Sequence, residues 1–171
     1  GLHTKGNATR PQNFLEESIR IPWLLRWPGR VIAGRRPEAP VDLCDAFATV
    51  LDIAGADPNA AETADGCPRP GRSVLPLLDG SGADWRSHQI CEYGNARMLR
   101  ADGGKWIRRG PGSAYPVHDE YYDLRNDPRE RENRIDGADP EATAEADRLL
   151  EAHFRRFARP DQFNIRGADI V

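Results

Sequence analysis

The chain has 171 residues, of which 39% are hydrophobic and 30% charged, and its formal net charge is −3. That length can bury a core of its own. The charge gives no electrostatic case for nucleic acid or an anionic membrane, and no apolar run approaches the roughly 18 residues of a membrane helix. Glycine (16) and proline (14) are abundant, and Lys5 and Lys105 are the two lysines among 24 basic residues. A loop-rich domain, or part of a larger one, fits this profile. The opening Gly1-Leu2-His3-Thr4-Lys5 has neither the Met nor the apolar stretch of a signal peptide.

Residues 1–10 read as loop. Pro11 suits the first position of a short helix over Gln12–Ile19. The compact apolar run Ile21-Pro22-Trp23-Leu24-Leu25-Arg26-Trp27, closed by Pro28-Gly29, predicts a mostly buried strand ending in a turn. Asp42 is a candidate cap for a helix reaching Ala54, with Gly55 as its stop. Leu43, Phe47, Val50, Leu51 and Ala54 recur at helical spacing, which predicts one buried face. Residues 56–72 form a long loop, and Ser73 caps a single helical turn over Val74–Leu78.

The texture then changes to four short strands, His88–Tyr93, Arg97–Ala101, Lys105–Arg109 and Glu120–Leu124. Asp102-Gly103-Gly104 between two alternating runs signals a hairpin. A small antiparallel sheet follows from this spacing. Asp139-Pro140 opens a helix to about Ala158, whose stripe of Ala146, Leu149, Leu150, Phe154 and Phe157 can cover one face of that sheet. The last dozen residues read as a tail.

Few of the chemistry-bearing residues cluster. Cys44, Cys67 and Cys91 form neither a disulfide framework nor a zinc-type pair and read as small residues in or near the core. His3, His88, His118 and His153 lack metal-ligand spacing, and His153 reads as structural. Adjacent Glu16 and Glu17 point in different directions on a helix and make a poor acid/base pair. Asp119-Glu120 and Arg129–Glu132 read as solvated faces, and Arg20 as an anchor for the following strand.

Six stretches, in order, resemble the sulfatase family. Gly1–Lys5 resembles the end of its His-Gly-x-x-x-Lys segment. Phe14-Leu15-Glu16-Glu17-Ser18-Ile19-Arg20-Ile21-Pro22 with Trp27-Pro28-Gly29 resembles the strand lead-in that follows it, with Leu15 in the aromatic's usual place. Val41-Asp42-Leu43 and Ala48–Gly55 resemble a family helix. Gly71-Arg72-Ser73-Val74-Leu75-Pro76-Leu77-Leu78-Asp79-Gly80 is similar to its Gly-x-Ser-Leu-x-Pro-Leu-Leu-x-Gly segment. Arg97–Arg100 with Lys105-Trp106-Ile107 resembles its C-terminal sheet. Glu120-Tyr121-Tyr122-Asp123-Leu124 through Asn126-Asp127-Pro128, Glu130 and Asn133 resembles its Tyr-Asp-Leu-x-x-Asp-Pro-x-Glu signature. The resemblance runs from residue 1 to about 157. Cys67-Pro68-Arg69-Pro70-Gly71-Arg72 only superficially resembles the family's nucleophile motif: proline must stand two residues after the cysteine, and here that residue is Arg69.

The resemblance implies an α/β, alkaline-phosphatase-like fold whose C-terminal portion is a small four-stranded antiparallel sheet packed by a helix. It divides the chain into 1–80, the end of a catalytic domain, 81–160, the small subdomain, and 161–171, the tail. It implies a parent that hydrolyses sulfate esters, of carbohydrates among others, with a formylglycine nucleophile and a divalent cation, usually calcium. The nucleophile and metal ligands are expected upstream of Gly1, so this chain alone is expected to be inactive and to depend on the upstream catalytic half. Lys5 carries over as the lysine that contacts the sulfate and its leaving-group oxygen, with His3 beside it. Tyr93, Asn95, Arg97 and His118 are candidates to face the substrate. Two alternatives remain: a fragment of a related phosphonate monoester hydrolase or phosphodiesterase, and a non-catalytic module that binds a partner or glycan.

Overall fold

The computed structural model describes residues 13–58, 68–82, 84–110 and 118–157. They gather into two compact units, one from residues 13–22 and 90–155 and one over Trp23–Gln89. Among the described residues, no helix is long and apolar enough to cross a membrane.

The first unit is built on an antiparallel sheet in the order β1-β2-β3-β4, with β1 His88–Tyr93, β2 Ala96–Ala101, β3 Gly104–Arg109 and β4 Glu120–Asp123. The four strands lie where the alternating runs predict them. Asp102 (φ 45°) and Gly103 (φ 77°) both take left-handed backbone, the geometry of the tight turn that matches strand twist. This turn sets Leu99 opposite Trp106 and Met98 opposite Ile107, while Trp106 also faces Tyr121 on β4.

Because side chains alternate along a strand, this register sorts the sheet into two faces. Leu99 and Trp106 meet Ala146, Leu150 and Phe154 of α4, Pro140–Phe157. Asp139 Oδ1 accepts the Glu141 N–H at 2.8 Å, capping the helix as the Asp-Pro pair predicts. The opposite face presents Ala96, Met98, Ile107 and Tyr122, which pack against Phe14 and Leu15. Those two residues lead into α1, Glu16–Ile19, shorter than predicted, with Pro11 and Gln12 outside the described residues. Each fully buried large apolar side chain here is worth about 1.5–3 kcal/mol.

The second unit carries α2, Leu43–Ile53, and α3, Leu75–Asp79. Asp42 and Asp45 form a reciprocal capping box at the start of α2. Gly80 closes α3 in left-handed conformation (φ 90°). Gly71 must be glycine for another reason: a Cβ there would lie 2.1 Å from the Cys44 carbonyl oxygen.

Three expectations fail in this part of the chain. Residues 21–27 belong to no strand or helix, and Leu24 is 94% exposed. Among the described residues there is no neighbouring strand to complete a ladder with them. The predicted apolar face of α2 is outward: Leu43 is 70%, Phe47 47% and Val50 63% exposed. The buried face is Asp45, Ala48 and Thr49 instead. Asp45 accepts the Arg72 N–H at 2.8 Å and pairs with Arg86, and the Thr49 hydroxyl accepts the Val74 N–H at 3.0 Å. Backbone groups that must find partners thus hold α2 to the 72–74 segment, and the apolar stripe is left over. Cys44, predicted near the core, is also exposed, whereas Cys91 packs partly buried against the sheet core.

Candidate functional site

Lys5, His3 and Cys67 lie outside the described residues. Asn95 is exposed in the two-residue turn between β1 and β2, and its carbonyl accepts the Gly110 N–H at 2.9 Å. One residue earlier, the Arg109 N–H donates to Asp119 Oδ1 at 2.8 Å. His118, beside Asp119, is exposed. The topology therefore brings Asn95 and His118 to the same end of the sheet. Tyr93 is exposed at the end of β1. Arg97 does not join them: its guanidinium lies 3.9 Å from the centre of the Phe154 ring, on the α4 face. That contact packs its side chain against α4. His153 stands edge-on to the same ring at 5.9 Å, as a structural histidine does. Arg20 is exposed.

The strongest electrostatic arrangement escaped the motifs. Lys105 is fully buried, on the sheet face that meets Phe14. Its Nζ donates to the Phe14 carbonyl at 2.8 Å and to Glu130 Oε1 at 2.6 Å, and pairs with Glu16 Oε1 at 2.8 Å. Glu130 Oε2 accepts the Glu16 N–H at 2.7 Å. Glu16 also faces Arg100 Nε at 3.3 Å. The cluster balances two cations against two carboxylates, which is what burial demands of charge. Glu130 holds left-handed backbone (φ 53°) to reach it. Glu16 and Glu17 do diverge as expected, with Glu17 exposed.

A second buried pair lies on the same face. Arg109 contacts Glu120 Oε1 through Nε at 3.0 Å and Nη2 at 2.5 Å. The Tyr122 hydroxyl donates to Glu120 Oε2 at 2.6 Å. Burial, reinforced by this hydrogen bond to a carboxylate, pushes the Tyr122 phenol far above its usual range. Glu120 and Glu130, read from sequence as solvated, are therefore core residues. The signal was available in part: Lys105, Ile107 and Arg109 alternate on one face, so a buried Ile107 implies buried neighbours. The Glu130 partner carried no such signal: its turn is held locally, the Glu130 N–H donating to the Asp127 carbonyl at 3.0 Å, while its carboxylate reaches a lysine 25 residues away.

These groups are committed to each other and suit a structural role rather than proton transfer with a ligand. Among the described residues there is no group of three or more His, Cys, Asp or Glu side chains able to hold a metal ion. The described residues thus offer a divalent cation no ligand set.

No family model matches the chain. It is 32% identical to human arylsulfatase D over 103 residues, covering 60% of this chain and 16% of that protein. It is 34% identical to rat steryl-sulfatase over 98 residues, 57% of this chain and 15% of that protein. The chain thus spans about a sixth of the length of these curated relatives. A Bacteroides thetaiotaomicron sulfatase described with the metabolism of multiple glycosaminoglycans shares the fold, with a TM-score of 0.62 at 16% identity over 85% of this chain and 33% of its own. A structure solved in complex with its substrate D-glucosamine-2-N,6-O-disulfate matches with a TM-score of 0.53 at 25% identity, over 68% of this chain and 24% of its own. By sequence and by fold, the chain is similar to the C-terminal part of sulfatases.

Proposed function

We propose that the whole protein to which this chain belongs hydrolyses sulfate esters, those of carbohydrates among them. The observation that carries this reading is the likeness to a structure holding a sulfated glucosamine as its substrate. Lys5 is the residue of this chain that acts on the substrate, contacting the sulfate and the leaving-group oxygen. Negative charge builds on those oxygens as the ester cleaves, and a lysine supplies a compact cation there. On this reading Asn95 and His118, at one end of the small sheet, contribute to the substrate side, with His3 near Lys5 in sequence. A formylglycine hydrate and a calcium ion supply the nucleophile and the electrostatic pull when bound, held by residues outside this chain. The chain alone is inactive on this reading and binds no catalytic calcium.

The test has two arms. The purified 171-residue chain should show no aryl-sulfate turnover and no calcium heat by calorimetry; clear turnover would refute the inactive reading. In the longer gene product, Lys5→Ala should lower kcat by roughly 10²–10³. A longer product that prefers phosphonate monoesters or phosphodiesters to sulfate esters would sink the sulfatase assignment. A reading frame whose own start codon stands just before residue 1 would favour a non-catalytic binding module.

A further inference from the structure

The charge of this chain is unevenly laid out. No acidic residue stands between Glu17 and Glu38, while Arg20, Arg26, Arg30, Arg35 and Arg36 all fall inside that span of a chain whose net charge is −3. Elsewhere the arginines are matched: Arg86, Arg100, Arg108, Arg109 and Arg134 each meet a carboxylate. Arg26, Arg30, Arg35 and Arg36 are exposed, and none of the four forms an ion pair among the described residues.

The loop gathers three of these cations around one aromatic ring. The Trp27 carbonyl accepts the Arg30 N–H at 3.1 Å and the Val31 N–H at 3.0 Å, a turn in which Gly29 takes left-handed backbone (φ 79°). That turn sets the Arg30 guanidinium 5.6 Å from the centre of the Trp27 ring. A second turn, with Gly34 at φ 78°, precedes Arg35 and Arg36, which line the same cavity of about 800 Å³ as Trp27. Arg35 Nε donates to the Leu78 carbonyl at 3.2 Å, which fixes the plane of its guanidinium and neutralises none of its charge. Asp79 lies near Arg35, but its carboxylate is taken by the Ser81 N–H at 2.8 Å and hydroxyl at 2.6 Å. Like charges held together in this way repel, and an anion between them relieves the repulsion.

We propose that Arg30, Arg35 and Arg36, with Trp27, form a binding site for a carbohydrate that carries more than one sulfate group. The proposal rests on the sulfate-ester reading above. A guanidinium offers a planar fork of donors to two oxygens of one oxyanion, so several arginines suit a ligand with several such groups. The indole face suits the C–H face of a sugar ring, and the cavity is of the size that small ligands occupy. The arginines stand around a cavity rather than in a stripe along a helix or groove, the layout for a compact polyanion and not for a nucleic-acid backbone.

Calorimetric titration with sucrose octasulfate tests this on the 171-residue chain and on the longer product of the same gene, with sucrose and an oligothymidylate of equal charge as comparisons. Sucrose octasulfate should bind at low ionic strength, and sucrose should not. The triple variant Arg30→Gln/Arg35→Gln/Arg36→Gln should bind at least about 10-fold more weakly, and the fall of affinity with salt should become shallower by about one power of salt concentration per arginine removed. Arg36→Gln alone, at an exposed side chain, should weaken binding about threefold and covers the case in which the triple variant does not fold. Arginine-dependent binding by either protein supports the site. Absence of binding by both overturns it, as does binding that the variants leave unchanged. Tighter binding of the oligothymidylate overturns the carbohydrate assignment. Sulfate-ester turnover by the longer product separates the two readings: arginine-dependent binding without turnover sinks the activity alone, and turnover without such binding sinks the arginine site alone.

Discussion

Lys105 and Glu130 meet at 2.6 Å with side-chain exposures of 0% and 1%. The pair joins the middle of the sheet to the loop after β4, and through the Phe14 carbonyl and the Glu16 N–H it also fastens the segment before α1. Removing one partner strands a buried opposite charge. Lys105→Met should therefore cost on the order of 3–5 kcal/mol, measured by urea unfolding of the 171-residue chain. The double variant Lys105→Met/Glu130→Leu should lose much less than the sum of the two single losses. Additive losses would show that the two side chains act independently.

Tyr122 makes alkaline pH a probe of the same face. Its phenol is held protonated in the fold, by burial first and by the Glu120 carboxylate second. Above the ordinary tyrosine range near pH 10, the unfolded chain gives up the proton and the folded chain keeps it. The unfolded state then binds fewer protons, so the Tyr122 contribution is complete below about pH 10 and declines as pH rises beyond it. Tyr121, also raised by burial, adds a smaller effect of the same sign. Tyr122→Phe should flatten the alkaline fall in stability; an unchanged slope would remove Tyr122 as its source.

At the start of α2, Asp42 caps through geometry while its charge works against it. Burial raises its carboxyl pKa, with Arg86 opposing and Asp45 adding to the rise. A raised carboxyl means that stability from this group fades as pH climbs through its titration. Asparagine caps as well as aspartate and carries no charge. Asp42→Asn should thus leave α2 at least as protected at pH 7, whereas Asp42→Ala should cost about 1 kcal/mol. Amide exchange in α2 distinguishes the two.

Arg97 offers a check on the substrate side. Stacked on Phe154, it should behave as a packing residue. Arg97→Ala should lower sheet stability by about 0.5–1 kcal/mol. In the longer protein the same change should leave KM for a sulfate ester within about twofold, since the side chain is turned to α4. A large KM increase would instead place Arg97 in the substrate pocket.

The sheet was legible in the sequence because its partners are local: alternation in β2 and β3, with Asp102-Gly103 between them, sets Leu99 opposite Trp106. The α4 stripe and the Asp139 cap were legible for the same reason. Leu43, Phe47 and Val50 showed the correct period and the wrong destination, because a periodic pattern marks which face wants cover without saying whether the cover is in the chain. Lys105 and Glu130 were illegible as a pair, since 25 residues separate them and neither type announces burial. For the candidate site, the sequence placed Asn95 and His118 on loops, but only the fold brings those loops to one end of the sheet.

The bond from Lys105 to the Phe14 carbonyl spans 91 residues of sequence, whereas the strand that carries Lys105, β3, pairs with its immediate neighbours in sequence. Closing a long span is slow relative to closing hairpins. On a ribosome, residues 13–16 emerge well before the lysine and glutamate that capture them. The meander can then form first, and the early segment is recruited to it afterwards. The 91-residue closure that brings Phe14 to Lys105 is then expected to follow the hairpins that set the lysine in place.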